Sequence, residues 1–139
     1  MAETPAPGRG PLALAAVLLA LATVAGAIGA HALPPAWSTL RAHLYGTAVR
    51  YQFYQSLGLL GMGLWLNSRT LSDLPPERRG IVRRCGHAAR ALTLAIALFC
   101  GSLYALSLDA PRWVGIVTPI GGGLMMGAWL VFAYGVWQA

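Results

Sequence analysis

The residues able to do chemistry in this chain are few and lie in four places. His31 follows a long apolar run; Arg50, Tyr51, Gln52, Tyr54 and Gln55 crowd one short stretch; Tyr104 and Asp109 follow a third apolar run; Thr118 opens a fourth. Brought together, they would make a small polar pocket. Arg50 would supply a fixed positive charge, His31 a titratable ring, and the glutamines and tyrosines hydrogen bonds. That chemistry is binding rather than bond-making. No Ser/His/acid set stands out, because only four carboxylates exist and three lie in loops or termini. Two-carboxylate catalysis fails for the same reason. Cys85 and Cys100 have neither metal-ligand spacing nor a shared depth for a disulfide. Gly121-Gly122-Gly123 resembles a phosphate loop only in composition, since no Lys-Ser/Thr follows and no strand precedes it.

Composition decides what must position these residues. Of 139 residues, 57% are hydrophobic and 10% charged, and the mean hydropathy is +0.60. A soluble domain carries about 25% charged residues, so a soluble enzyme is excluded, and so is a disordered chain. A spanning helix needs about 20 apolar residues. Four apolar runs fit the length, at 11–31, 44–66, 88–108 and 114–137. We therefore expect an all-α, single-domain polytopic membrane protein, an up-down-up-down bundle of four transmembrane helices.

A polar Pro/Gly-rich lead (1–10) precedes the first run, and Pro34-Pro35 ends it. The first run also reads as a cleaved leader, with Arg9 as its basic flank and Ala30-His31-Ala32 as the cut site. It is longer than a leader's usual core of about 7–15 residues, and further spans follow, so an uncleaved first helix is expected. Trp37 is placed to anchor the first loop at an interface. Residues 68–87 read as a basic connector, broken at Pro75-Pro76, with a short amphipathic start from Glu77.

The charge of +6 comes from ten arginines against four acids. Six of the arginines (69, 78, 79, 83, 84 and 90) sit between the second and third runs. That placement suits anionic lipid headgroups, at Arg78, Arg79, Arg83 and Arg84 above all, rather than nucleic acid. With four spans, Arg9 joins these six on one side, leaving Arg41, Arg112 and Arg50 toward the other. The excess of basic loops puts both termini in the cytoplasm. It also places His87 opposite His31 and His43, so the three cannot share a zinc ion, and no histidine pair at one depth offers haem ligation. Neither metal nor cofactor is expected.

Small residues at four-residue spacing, Ala22/Gly26/Ala30, Ala97/Gly101/Ala105 and Gly123/Gly127, would let backbones approach closely. Gly58, Gly61 and Gly63 thin a face of the second helix. The polar residues themselves have a structural alternative to the pocket: Arg50 snorkels or pairs with Asp109, while Gln52 and Gln55 bond neighbouring helices. Tyr51 and Gln55 share a helix face, but Arg50 lies about 100° round from Tyr51, so the set spreads over more than one face.

Four blocks of the chain resemble a known family. Gly26-Ala27-Ile28-Gly29-Ala30-His31-Ala32-Leu33 resembles its GAFGAHGL block, and Thr47 to Gln55 its TAxRYQxYH block. Phe99-Cys100-Gly101-Ser102-Leu103-Tyr104 is similar to FSGSLY, and Thr118-Pro119-Ile120-Gly121-Gly122 to TPIGG. They occur in the family's order across most of the chain. The family is the transmembrane protein 256 group, also called domain of unknown function 423, with bacterial members in the inner membrane. The resemblance implies a four-helix integral membrane protein with no established activity. It also implies that His31, Arg50, Tyr51, Gln52, Gly101, Ser102, Tyr104, Thr118, Pro119 and Gly121 matter. Ala32 and Gln55 depart from the pattern, where Gly and His are usual. The second departure weakens any chemistry resting on paired histidines.

The expected role is therefore structural or accessory, within a larger membrane complex or a homo-oligomer, and not enzymatic. A small-solute transporter or channel is the alternative. It requires an oligomer, and a polar path that the Leu, Gly, Met, Ala and Thr of the inner halves of the second and third helices do not continue.

Overall fold

The computed structural model describes residues 7–69 and 74–139. Its elements are four helices, α1 (Arg9–His31), α2 (Thr39–Asn67), α3 (Pro76–Ser107) and α4 (Val117–Gln138), with a 3₁₀ turn, Arg112–Ile116, leading into the last. Residues 1–6 of the expected lead and 70–73 of the expected connector lie outside the described residues.

Two helices start earlier than hydropathy indicates. Ser38 caps α2, its Oγ accepting the Arg41 amide at 3.3 Å, so the helix opens at Thr39 rather than 44. Pro76 occupies the first position of α3, where its missing N–H costs nothing, and Glu77 complements the helix dipole there. Arginine is a good helix former, so most of the expected basic connector is helix. α3 has 32 residues and runs about 48 Å. That exceeds the ~30 Å hydrocarbon layer and carries its arginine-rich start beyond the apolar zone.

The end of α3 is a tight reversal. Asp109 adopts φ 64, the Ala110 amide reaches back to Ala105 O at 3.0 Å, and the Asp109 amide to Leu106 O at 3.3 Å. These bonds satisfy carbonyls that the helix end leaves open.

Successive helices are antiparallel. The start of α1 meets the end of α2, where a Cβ on Gly8 would collide with the backbone of Gly63 and Asn67. α3 and α4 meet at Gly121, where a Cβ would lie 2.6 Å from Phe99 N, and again where Gly135 abuts Cys85. The central pair is α2–α3, with Leu59, Met62 and Leu66 packed among Leu92, Ala95 and Ile96. α1 rests mainly on α2, and α4 mainly on α3, so these two flank the pair instead of closing a ring. The outer faces stay apolar and exposed, with Val17, Leu21 and Val24 on α1 and Met126 and Leu130 on α4. Helices that are apolar all round are suited to lipid.

Three helical segments, Arg9–His31, Pro76–Ser107 and Arg112–Gln138, are long and apolar enough to cross a membrane. α2 carries Arg41, Arg50, Gln52 and Gln55 and is not among them.

Candidate functional site

The polar residues do not converge on one pocket. They divide into three interhelical links and a set of exposed side chains. Gln52 is the centre of the first link. It is buried at the α1–α2–α3 junction, where its Nε2 donates to Leu18 O at 3.0 Å and its Oε1 accepts the Tyr104 hydroxyl at 2.9 Å. A buried amide costs free energy unless both ends are bonded, and here both are.

The link continues toward the end of the bundle where α2 begins. Tyr104 meets Tyr45 edge to face at 5.3 Å, and the Tyr45 hydroxyl donates to Ala25 O on α1 at 2.8 Å. Tyr45 in turn contacts Trp37 at 5.9 Å, and the Arg41 guanidinium lies 4.8 Å from the Trp37 ring centroid. Arg41 Nη1 pairs with Asp109 at 2.8 Å, while its Nε donates to Ser107 O at 2.8 Å. A continuous column thus runs from Leu18 through Gln52, Tyr104, Tyr45 and Trp37 to Arg41 and Asp109, tying three helices and the α3 reversal.

The other two links hold α4. Trp129 Nε1 donates to Gln55 Oε1 at 2.8 Å, and Gly58 leaves the space that the Trp129 ring fills. Ser102 and Thr118 share a hydrogen bond at 2.7 Å. Tyr51 is exposed on one side and lies against Phe99 at 4.9 Å.

Several expectations are corrected. Asp109 pairs with Arg41, not with Arg50. Arg50 is exposed and folds back on its own helix, its Nε donating to Gly46 O at 3.3 Å. The reason is geometric: the early start of α2 puts Arg41 in its first turn, level with the α3 reversal, whereas Arg50 is more than two turns further along. His31 is exposed at the end of α1 and joins none of the links. The expected packing glycines are mostly open as well. Cβ atoms on Gly101, Gly123 or Gly127 would meet nothing within 4 Å, and Gly26 has an ordinary 3.7 Å contact with Val49. The close approaches fall at Gly58 and Gly63, two of the three glycines expected to thin α2, and at Gly8, Gly29, Gly121 and Gly135.

Sequence reasoning missed Tyr45, Arg41, Ser107 and Trp129 as members of these links. Ser38, three residues before Arg41, was the available signal for an earlier α2, since Ser is a preferred N-cap. Nothing local pairs Trp129 with Gln55. Among the described residues no group of three or more His, Cys, Asp or Glu is placed to hold a metal ion.

Comparison with known proteins agrees with the resemblance. The family described as protein of unknown function (DUF423) matches residues 25–122. A UPF0382 membrane protein of Staphylococcus epidermidis is 35% identical over 118 residues, covering 85% of this chain and 87% of that one. The UPF0382 membrane protein YwdK of Bacillus subtilis is 32% identical over 118 residues, covering 85% and 88%. The UPF0382 inner membrane protein YgdD of Escherichia coli is 29% identical over 110 residues, covering 79% and 76%. No solved structure matches the chain. The matched stretch runs from the end of α1 into α4 and holds every interhelical link but the Leu18 carbonyl and Trp129, and the chain therefore belongs to the DUF423 family as a multi-pass protein of the bacterial inner (plasma) membrane.

Proposed function

We propose that the protein is a structural or accessory component of the bacterial inner membrane, not an enzyme. All four helices cross, both termini are cytoplasmic, and the basic start of α3 lies against anionic headgroups at Arg78, Arg79, Arg83 and Arg84. The observation that carries the accessory reading is the state of Gln52. Each end of its amide is bonded to a neighbouring helix and the side chain is buried, so the most buried polar side chain of the expected pocket is turned to helices rather than to a solute. Gln55 and Thr118 are likewise engaged with neighbouring helices. α2 crosses despite its polar residues because α1 and α3 flank it and bond both ends of its buried amide, Gln52.

A partner would dock on α4. Its Gly123 and Gly127 form an i,i+4 stripe of open backbone, a surface that another helix can approach closely. Native mass spectrometry after gentle extraction from the protein's own membrane tests this. Copurifying subunits at fixed stoichiometry, lost on Gly127→Leu, support the accessory role. A homo-oligomer retaining a small molecule that Arg50→Ala releases would replace it with transport.

A further inference from the structure

At the end of the bundle where α1 begins, a groove of about 560 Å³ opens between α1 and α3. Among the described residues its charged and titratable lining is Arg9 from α1, and Arg83, His87 and Arg90 from α3. On α3 these three stand at i, i+4 and i+7, one face of the helix. All four are exposed, and none has an ion-pair or hydrogen-bond partner among the described residues. Among the described residues no acid lines the groove. Its apolar wall is Leu14 and Val82, and it is widened by Gly10 and Gly86, where a Cβ would meet nothing within 4 Å.

Below the arginines the cleft stays open toward lipid. α1 and α3 scarcely touch, and Leu14, Val17 and Leu21 on α1 and Leu94 on α3 are exposed. Charge at the mouth and apolar surface beneath it match an amphiphile, not a free ion. Arg83 and Arg90 are seven residues apart on one helix, about 10 Å along its axis. At that spacing each guanidinium can hold a phosphate of its own, and Arg9 lines the groove from α1.

We propose that this groove binds one phospholipid carrying two phosphates, of the diphosphatidylglycerol class, with its phosphates on Arg83 and Arg90 and its acyl chains along Leu14 and the α1–α3 cleft. Basic pockets between spanning helices are suited to such headgroups. The site is independent of the accessory role: it needs only that the helices lie in a membrane.

The test is native mass spectrometry of the full chain in mild detergent, titrated separately with diphosphatidylglycerol, phosphatidylglycerol, phosphatidylcholine and inorganic phosphate. One diphosphatidylglycerol is expected to be retained per chain, in preference to phosphatidylglycerol. Removing each arginine should weaken it about five-fold, and Arg83→Gln with Arg90→Gln together about twenty-five-fold. Gly86→Leu, which fills the groove and keeps its charges, should weaken it as well, while Arg50→Gln at the other end should not. Equal retention of the two anionic lipids, indifference to the arginine pair, or uptake of inorganic phosphate in place of lipid would each overturn the proposal.

Discussion

The Tyr104 hydroxyl lies 2.9 Å from Gln52 Oε1, and it is the bond that joins α3 to the helix pair α1–α2 deep in the bundle. Tyr104 reaches Gln52 across two helices 52 residues apart in sequence, while Gln52 holds Leu18 O with its other end. Removing either partner leaves the other's polar group with no exchange partner in water.

Gln52→Leu is therefore expected to cost about 1–3 kcal/mol, because it strands the Tyr104 hydroxyl, and Tyr104→Phe about 1 kcal/mol, in the range of interhelical bonds in membranes. Reversible unfolding in mixed micelles measures both. A double-mutant cycle should return a coupling near the Tyr104→Phe value. Simple additivity would show that the two side chains do not interact.

The Arg41–Asp109 pair stands partly in the open, with side-chain exposures of 28% and 71%. Its ionic part is therefore worth no more than about 1 kcal/mol. Arg41 also holds Ser107 O at the end of α3, so Arg41→Ala should lower stability by about 1–2 kcal/mol, and Arg50→Ala by less than about 0.5 kcal/mol. Asp109→Gly should be close to neutral, since glycine relieves the positive φ while the ion pair is lost. An Arg50→Ala protein as unstable as Arg41→Ala would contradict the pairing.

Glycine substitutions should sort by space rather than by spacing. Gly121→Ala forces a Cβ to within 2.6 Å of the Phe99 backbone and should cost about 1–3 kcal/mol. Gly123→Ala and Gly127→Ala meet open space and should be neutral, or stabilising by up to about 1 kcal/mol through helix propensity. Thermal unfolding of the three variants in one detergent gives the ranking.

Ser56 is fully buried, and its Oγ has no hydrogen-bond partner among the described residues. Ser56→Ala removes an unsatisfied hydroxyl at nearly constant volume, so it should stabilise the protein by about 1 kcal/mol. A loss of stability in the same unfolding assay would mean that the hydroxyl is bonded in the membrane.

Orientation has its own test. Cys85 and Cys100 are buried, so they leave a low background for a membrane-impermeant thiol reagent. A cysteine introduced at Pro111, in the exposed link before the 3₁₀ turn, should label in intact spheroplasts. One introduced at Glu77 should label only after lysis. The reverse pattern would invert the topology.

The apolar character of the chain, and three of the segments that carry it, were legible in the residues alone. Transfer into a bilayer is a sum over consecutive side chains, so it needs no knowledge of what packs on what. The family blocks were legible for a similar reason, as runs of contiguous residues. Helix starts were half legible: Pro75-Pro76-Glu77 marks the beginning of α3, but hydropathy reports where a helix meets lipid and not where it begins. The partners of the polar residues were not. Arg41 rather than Arg50 meets Asp109, and Trp129 meets Gln55, because the length of each helix and its rotation about its axis set which side chains share a depth. Those are properties of four helices packed together. The same holds for the glycines, since spacing leaves open whether a glycine meets a neighbour within the chain, as Gly121 does, or stands open, as Gly127 does. Only the tertiary contacts tell them apart, because close packing depends on the surface that arrives from elsewhere in the chain.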